Sequence, residues 1–125
     1  YQEHQLESAK TLLILLAIET ALAWRMILAR WMAHNEPAAP GNAILNSTQL
    51  MLLAAIAKQR NRELPSKLSA KDVLYEIASL GGHIKNNGPP GWLVLRRGFD
   101  ELLSIEKGWS LANAAMNTLQ EEINH

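Results

Sequence analysis

The sequence predicts an all-α fold, and three observations predict it. Apolar residues recur at steps of three and four, no segment alternates in the manner of a half-buried strand, and no unit repeats at a period of about 20 to 50 residues. The chain has 125 residues, 48% of them hydrophobic and 19% charged. That length suits one domain, whose folding hides roughly two-thirds of its extended surface. Two long helices, at about 3–33 and 92–122, are expected to flank two shorter ones at about 48–60 and 70–80.

The first helix follows from composition. Residues 3–33 contain neither Pro nor Gly, and Leu, Ala, Ile, Met, Lys and Arg dominate. Such a rod runs roughly 45 Å, whereas a compact chain of this length has a radius of gyration of about 14 Å. Part of it is therefore expected to project or to meet a partner. Over 11–33 apolar residues occupy nearly every face, the pattern of a core helix surrounded by neighbours, with Trp24 and Trp31 expected inside. Glu19, Arg25 and Arg30 interrupt the stretch, and no basic-then-apolar leader precedes it, so neither a membrane span nor a signal peptide is expected. The chain opens on Tyr1, and we read it as a piece of a longer product.

Residues 35–46 contain Pro37, Pro40 and Gly41 and read as a linking loop and hinge. Ser47 or Thr48 is expected to cap the second helix, which carries Leu50, Leu53, Ala54 and Ala57 on one face and ends near Arg60. Ser69 followed by Asp72 makes a short-armed capping box for the third helix. Its buried stripe is expected to be Val73, Leu74, Ile77, Ala78 and Leu80, with Gly81-Gly82 as a left-handed stop. Residues 86–91 form a turn-rich break. The fourth helix then carries the most regular pattern in the chain: Leu95, Gly98, Leu102, Ile105, Trp109, Ala112, Met116, Leu119 and Ile123 alternate steps of three and four. This period of about 3.5 residues keeps one seam facing another helix. Spacing alone leaves two partners open, the first helix of the same chain or a second copy. Trp92 and Trp109, large rigid aromatics, are expected to anchor an interface.

Much chemistry is excluded. With no cysteine there is no disulfide, thiolate metal site or cysteine nucleophile, and the compartment is expected to be reducing and cytoplasmic. No two of His4, His34, His83 and His125 have zinc-ligand spacing, and none pairs with a nucleophile. Asp100-Glu101 and Glu121-Glu122 are adjacent in helices, point about 100° apart and do not converge on one ion. The glycine-rich turns lack the Gly-Lys-Ser/Thr ending of a phosphate loop. Twelve basic and twelve acidic residues cancel, so bulk charge does not draw the chain to nucleic acid. Lys58, Arg60, Arg62 and Lys67 do cluster, with Glu63 as the only acid among them; the patch is either a solvated loop or a local phosphate contact. Arg96 and Arg97 have Asp100 and Glu101 at helical spacing, as intrahelical ion pairs require.

Three stretches resemble a known family. Ile77-Ala78-Ser79-Leu80-Gly81-Gly82-His83-Ile84, then Gly91-Trp92, then Leu95-Arg96-Arg97-Gly98-Phe99-Asp100-Glu101-Leu102 are similar to segments of the C-terminal dimerisation region of Tn-five-type bacterial cut-and-paste transposases, of the insertion-sequence-four group. The entry segment, residues 5–12, and residues 45–52 resemble the same family, so essentially the whole chain is covered. The resemblance implies that residues 1–34 close the catalytic domain, 35–44 link, and 45–125 form a helical dimerisation domain. It implies a function in subunit pairing for synapsis of transposon ends during DNA transposition. The fragment itself is then no enzyme. The family's metal-dependent chemistry uses three acidic residues and Mg or Mn, none of which can be assigned here. Implied partners are a second copy through the last helix and, in the whole protein, transposon-end DNA; no membrane and no small-molecule substrate are implied. The expected dimer-interface residues are Phe99, Leu102, Ile105, Trp109, Ala112 and Met116. Gln5, Glu7 and Thr11 match a segment near transposon-end DNA, and Lys58, Arg60 and Arg62 are the DNA-contact candidates of the alternative, a small helical DNA-binding regulator. His83 stands where the family commonly has an aromatic residue, and Arg96 and Phe99 stand where it commonly has Trp, which alters the register expected of the pairing.

Overall fold

The computed structural model describes residues 2–83 and 88–124, so Tyr1, residues 84–87 and His125 lie outside the described residues. The order is α1 (Gln2–Asn35), a single 3-10 turn (Gly41–Ala43), α2 (Ser47–Gln59), α3 (Ala70–Leu80) and α4 (Trp92–Asn124). The fold is all-α, as expected from the sequence.

Each short helix starts on a reciprocal cap, in which side chain and backbone satisfy each other's free groups. For α3 the expected Ser69–Asp72 box is present: Asp72 N–H donates to Ser69 Oγ at 3.2 Å and Ser69 N–H to Asp72 Oδ2 at 3.1 Å. For α2 the cap is Asn46, not Ser47 or Thr48. Asn46 keeps extended backbone, at φ −76° and ψ 172°, while Ser47 and Thr48 already lie in the first turn. The α3 stop is Gly82, whose φ of +93° is the left-handed conformation. The loop after α1 is not a free hinge. Gly41 N–H donates to Leu68 O at 2.8 Å and Ala70 N–H to Ala39 O at 2.7 Å, strapping the loop to the entry of α3.

One core joins Leu22, Met26, Ala29 and Met32 of α1 to Leu45, to Leu52 and Leu53 of α2, to Val73, Leu74, Ile77 and Ala78 of α3, and to Leu95, Phe99 and Leu102 of α4. The core therefore crosses the expected boundary at 35–44. The second half of α1 belongs to the same compact head as α2, α3 and the first half of α4. α3 and α4 approach each other backbone to backbone. Gly98 of α4 faces the carbonyl of Ile77, and Gly81 faces the carbonyl of Val94; a Cβ on Gly98 would lie 2.7 Å from Ile77 C. Both positions need glycine because α3 and α4 touch there without side chains between them.

Two arms leave this head. Every described residue of α1 from 2 to 21 is exposed, and so is every residue of α4 from 107 to 124. At about 1.5 Å per residue the α4 arm reaches roughly 27 Å.

Candidate functional site

The expected interface seam on α4 divides where the helix leaves the head. Phe99 and Leu102 are completely buried among the chain's own helices, and a partner would reach neither without opening the core. This corrects their assignment to a dimer interface: the heptad pattern runs on unbroken, but its upper half meets α1, α2 and α3. Ile105 is half-buried at the rim of the head. Below it the seam is open, with Trp109 40%, Met116 66%, Leu119 54% and Ile123 76% exposed, and with Ala112 exposed between them. Gly98, whose small size suits a close helix contact, makes that contact with α3.

α1 corrects a second expectation. Its buried stripe is Leu22, Met26, Ala29 and Met32. Trp24 and Trp31 each stand two residues past a member of that stripe, about 200° round the helix, and are 66% and 54% exposed instead of buried. Leu13, Trp24, Ile27 and Trp31 thus form an uncovered apolar face opposite the core. In the arm itself Leu12, Leu13, Ile14, Leu15, Leu16 and Ile18 are all more than half exposed, so the surrounding neighbours that this pattern calls for are not supplied by the chain's described residues. α1 is also long and apolar enough to cross a membrane by length and composition, with a mean hydropathy of 2.0 over its most apolar stretch, contrary to the expectation from its three charges. A shallow groove of about 800 Å³ beside it is lined by Leu16, Ala23, Ile27, Trp92 and Leu93, with Glu19 and Arg96 at its edge.

Several charged residues tie the elements of the head together. Arg96 bridges Glu19 of α1 at 2.8 Å and Asp100 of its own helix at 3.1 Å; the latter is the intrahelical pair expected from spacing. Hydrogen bonding to Glu19, reinforced by Asp100, raises the Arg96 guanidinium above its usual pKa. The Arg30 guanidinium lies 4.4 Å from the Trp92 ring centre, a cation–π contact that closes α1 on the start of α4. Of the proposed DNA-contact residues, Gln5, Glu7 and Thr11 are exposed on the α1 arm, and Lys58 and Arg60 are exposed at the end of α2. Arg62 is held by Glu76 of α3 at 3.0 Å. That pair fastens the loop to α3 and removes one cation from the basic patch. The two groups of candidates lie on different elements.

The residue that sequence reasoning missed is Gln49, the buried polar side chain of the head, 3% exposed. Its Oε1 accepts from Arg25 Nη2 at 2.9 Å and from the Asn46 N–H at 3.1 Å, and its Nε2 donates to Glu106 Oε1 at 3.0 Å. The Asn46-x-x-Gln49 spacing is itself a capping-box signal, obscured by the adjacent Ser47 and Thr48. Among the described residues no group of three or more His, Asp or Glu side chains converges as a metal site would require. No protein-family model matches the chain, and comparison with curated proteins and with solved structures returns no match.

Proposed function

We propose that the chain is a non-catalytic assembly module of a DNA transposase, whose α4 arm pairs with the α4 arm of a second copy to hold two transposon ends in one complex. The observation that carries this reading is the open seam of Trp109, Ala112, Met116, Leu119 and Ile123. A helix with a continuous apolar edge and no intrachain cover is stable in water when that edge is buried against another helix. An isologous pair covers both copies with one surface, and each side contributes the same residues. Trp109 supplies the rigid aromatic anchor and Ala112 the close approach. The contact begins near Ile105, so Phe99 and Leu102 serve it only by fixing the direction in which the arm leaves the head.

The resemblance to Tn-five-type transposases supports the rest of the reading. On it, the α1 arm and the Leu13–Trp24–Ile27–Trp31 face of α1 are enclosed by a cytoplasmic catalytic domain, which carries the three carboxylates and the Mg or Mn they bind. The described residues of this chain have no ligand set that fits such a metal, and no catalytic step is assigned to them. Gln5, Glu7 and Thr11 then lie at the junction with transposon-end DNA. The regulator alternative is weaker, because the Arg62–Glu76 bridge uses part of the basic patch on which it depends.

Sedimentation equilibrium over a concentration series tests the proposal, comparing the natural chain with Met116→Glu. The natural chain is expected to dimerise and the variant to stay monomeric with unchanged helix content. A natural chain that remains strictly monomeric to high micromolar concentration overturns the pairing.

A further inference from the structure

We infer that Gln49 is a positioning residue: a polarised amide bridge between Arg25 and Glu106 that sets the direction of the α4 arm relative to α1. Three observations carry it. First, Glu106 is the last residue of α4 that is partly buried, and every residue from 107 to 124 is exposed in the open arm. The Gln49–Glu106 hydrogen bond is therefore the outermost side-chain tie between the head and the arm. Second, the amide has one orientation that works. Oε1 faces the Arg25 cation and the Asn46 N–H, and Nε2 faces the Glu106 carboxylate. Turning it over sets Nε2 against a cation and Oε1 against an anion, so the two charges lock the amide. Third, the amide is nearly excluded from water, where hydrogen bonds to charged groups are stronger and an unpaired group is costly. One side chain thus joins three helices at the root of the arm.

A capping role alone does not account for the link to Glu106, and the two roles predict opposite effects of one substitution. Gln49→Glu keeps the capping box, since a glutamate at that position accepts from the Asn46 N–H equally well and is favoured near a helix N-terminus. It also keeps an acceptor for Arg25. It loses only the donor to Glu106 and places two carboxylates face to face. The double variant Gln49→Glu with Glu106→Gln reverses the bridge, because the new amide at 106 donates to the new carboxylate at 49. The bond between 49 and 106 is then restored with donor and acceptor exchanged, while Arg25 and the Asn46 N–H go on donating to position 49.

The inference draws its importance from the pairing reading, but its test does not depend on it. The chain has no cysteine, so spin labels are placed at Ser8→Cys on the α1 arm and Asn117→Cys on the α4 arm. Pulsed electron–electron resonance, with labelled chain diluted in excess unlabelled chain, then reads the intramolecular distance alone. The expected results are a single narrow distance peak in the parent, loss of that peak in Gln49→Glu, and its recovery in the double variant. Glu106→Leu cuts the bridge from the other end with the cap intact and is expected to lose the peak as well. An unchanged peak in Gln49→Glu overturns the inference, and so does failure of the double variant to recover it. Sedimentation of the same samples reports pairing separately: a monomeric chain with a Gln49-dependent peak defeats the pairing reading and leaves this one standing.

Discussion

Two glycines ten positions apart in α4 answer the same substitution with opposite signs. At Gly98 a methyl group would sit 2.7 Å from Ile77 C and 3.0 Å from Ile77 Cγ2, and closer still to the Ile77 carbonyl oxygen, whereas ordinary contact begins near 3.4 Å. The obstruction is backbone on a facing helix, which no rotamer change removes. α3 and α4 must separate by on the order of 1 Å, which loosens Leu95, Phe99 and Leu102 together, and because the obstruction is backbone the overpacking cost falls at the upper end of its usual range, about 3 kcal/mol. The better helix propensity of Ala returns about 1 kcal/mol, so Gly98→Ala is expected to destabilise by about 2 kcal/mol net. At Gly108 an added Cβ meets nothing within 4 Å. Only the propensity term acts there, and Gly108→Ala is expected to stabilise by about 0.5–1 kcal/mol. For a chain of this size these values correspond to a melting temperature lowered by roughly 8 °C in the first variant and raised by roughly 3 °C in the second. Thermal melts followed by far-ultraviolet circular dichroism, at one chain concentration, provide the assay. If Gly98→Ala melts higher than the parent, as Gly108→Ala should, the close contact of α3 with α4 and the core built on it are refuted.

Further expectations separate the head from the arm. Phe99→Ala opens a cavity in the head and is expected to cost about 3–5 kcal/mol in chemical denaturation, whereas Trp109→Ala is expected to leave the dilute chain's midpoint within about 0.5 kcal/mol and to weaken self-association. A Trp109→Ala variant with a collapsed midpoint would place that residue in the core. Arg62→Ala breaks the bridge to Glu76 and is expected to cost about 1 kcal/mol; equal stability in denaturant would mean that the loop is held by other contacts. Lys58→Ala with Arg60→Ala is expected to leave pairing unchanged in sedimentation, and a change would join the basic patch to the assembly surface.

The fold was legible where the sequence carries local rules. The Ser69–Asp72 box, the Gly82 stop and the stripe of Val73, Leu74, Ile77 and Ala78 are set by residues within one or two turns of each other, and α3 forms as expected except that Leu80, expected in the buried stripe, is only half-buried. The α1 tryptophans were not legible. Residues 11–33 are apolar on all sides, so composition marks no preferred face, and only the tertiary packing of Leu22, Met26, Ala29 and Met32 leaves Trp24 and Trp31 outside. The seam on α4 shows the complementary limit. Its steps of three and four continue without interruption from Leu95 to Ile123, and nothing in that period reveals that the head ends near Ile105. Gln49 was half legible: its spacing from Asn46 signals a cap, while its bond to Glu106, 57 residues away, belongs to the tertiary fold alone.

The most direct measurement is disulfide trapping between two copies on the cysteine-free background. Ala112 is the small residue next to Trp109 in the open part of the seam, and Ser110 lies off it. Under mild oxidation at micromolar concentration, Ala112→Cys is expected to yield a covalent dimer that keeps native helix content, while Ser110→Cys stays largely uncrosslinked. Equal trapping at both positions, or none at 112 in a chain that sediments as a monomer, would contradict pairing through the α4 arm.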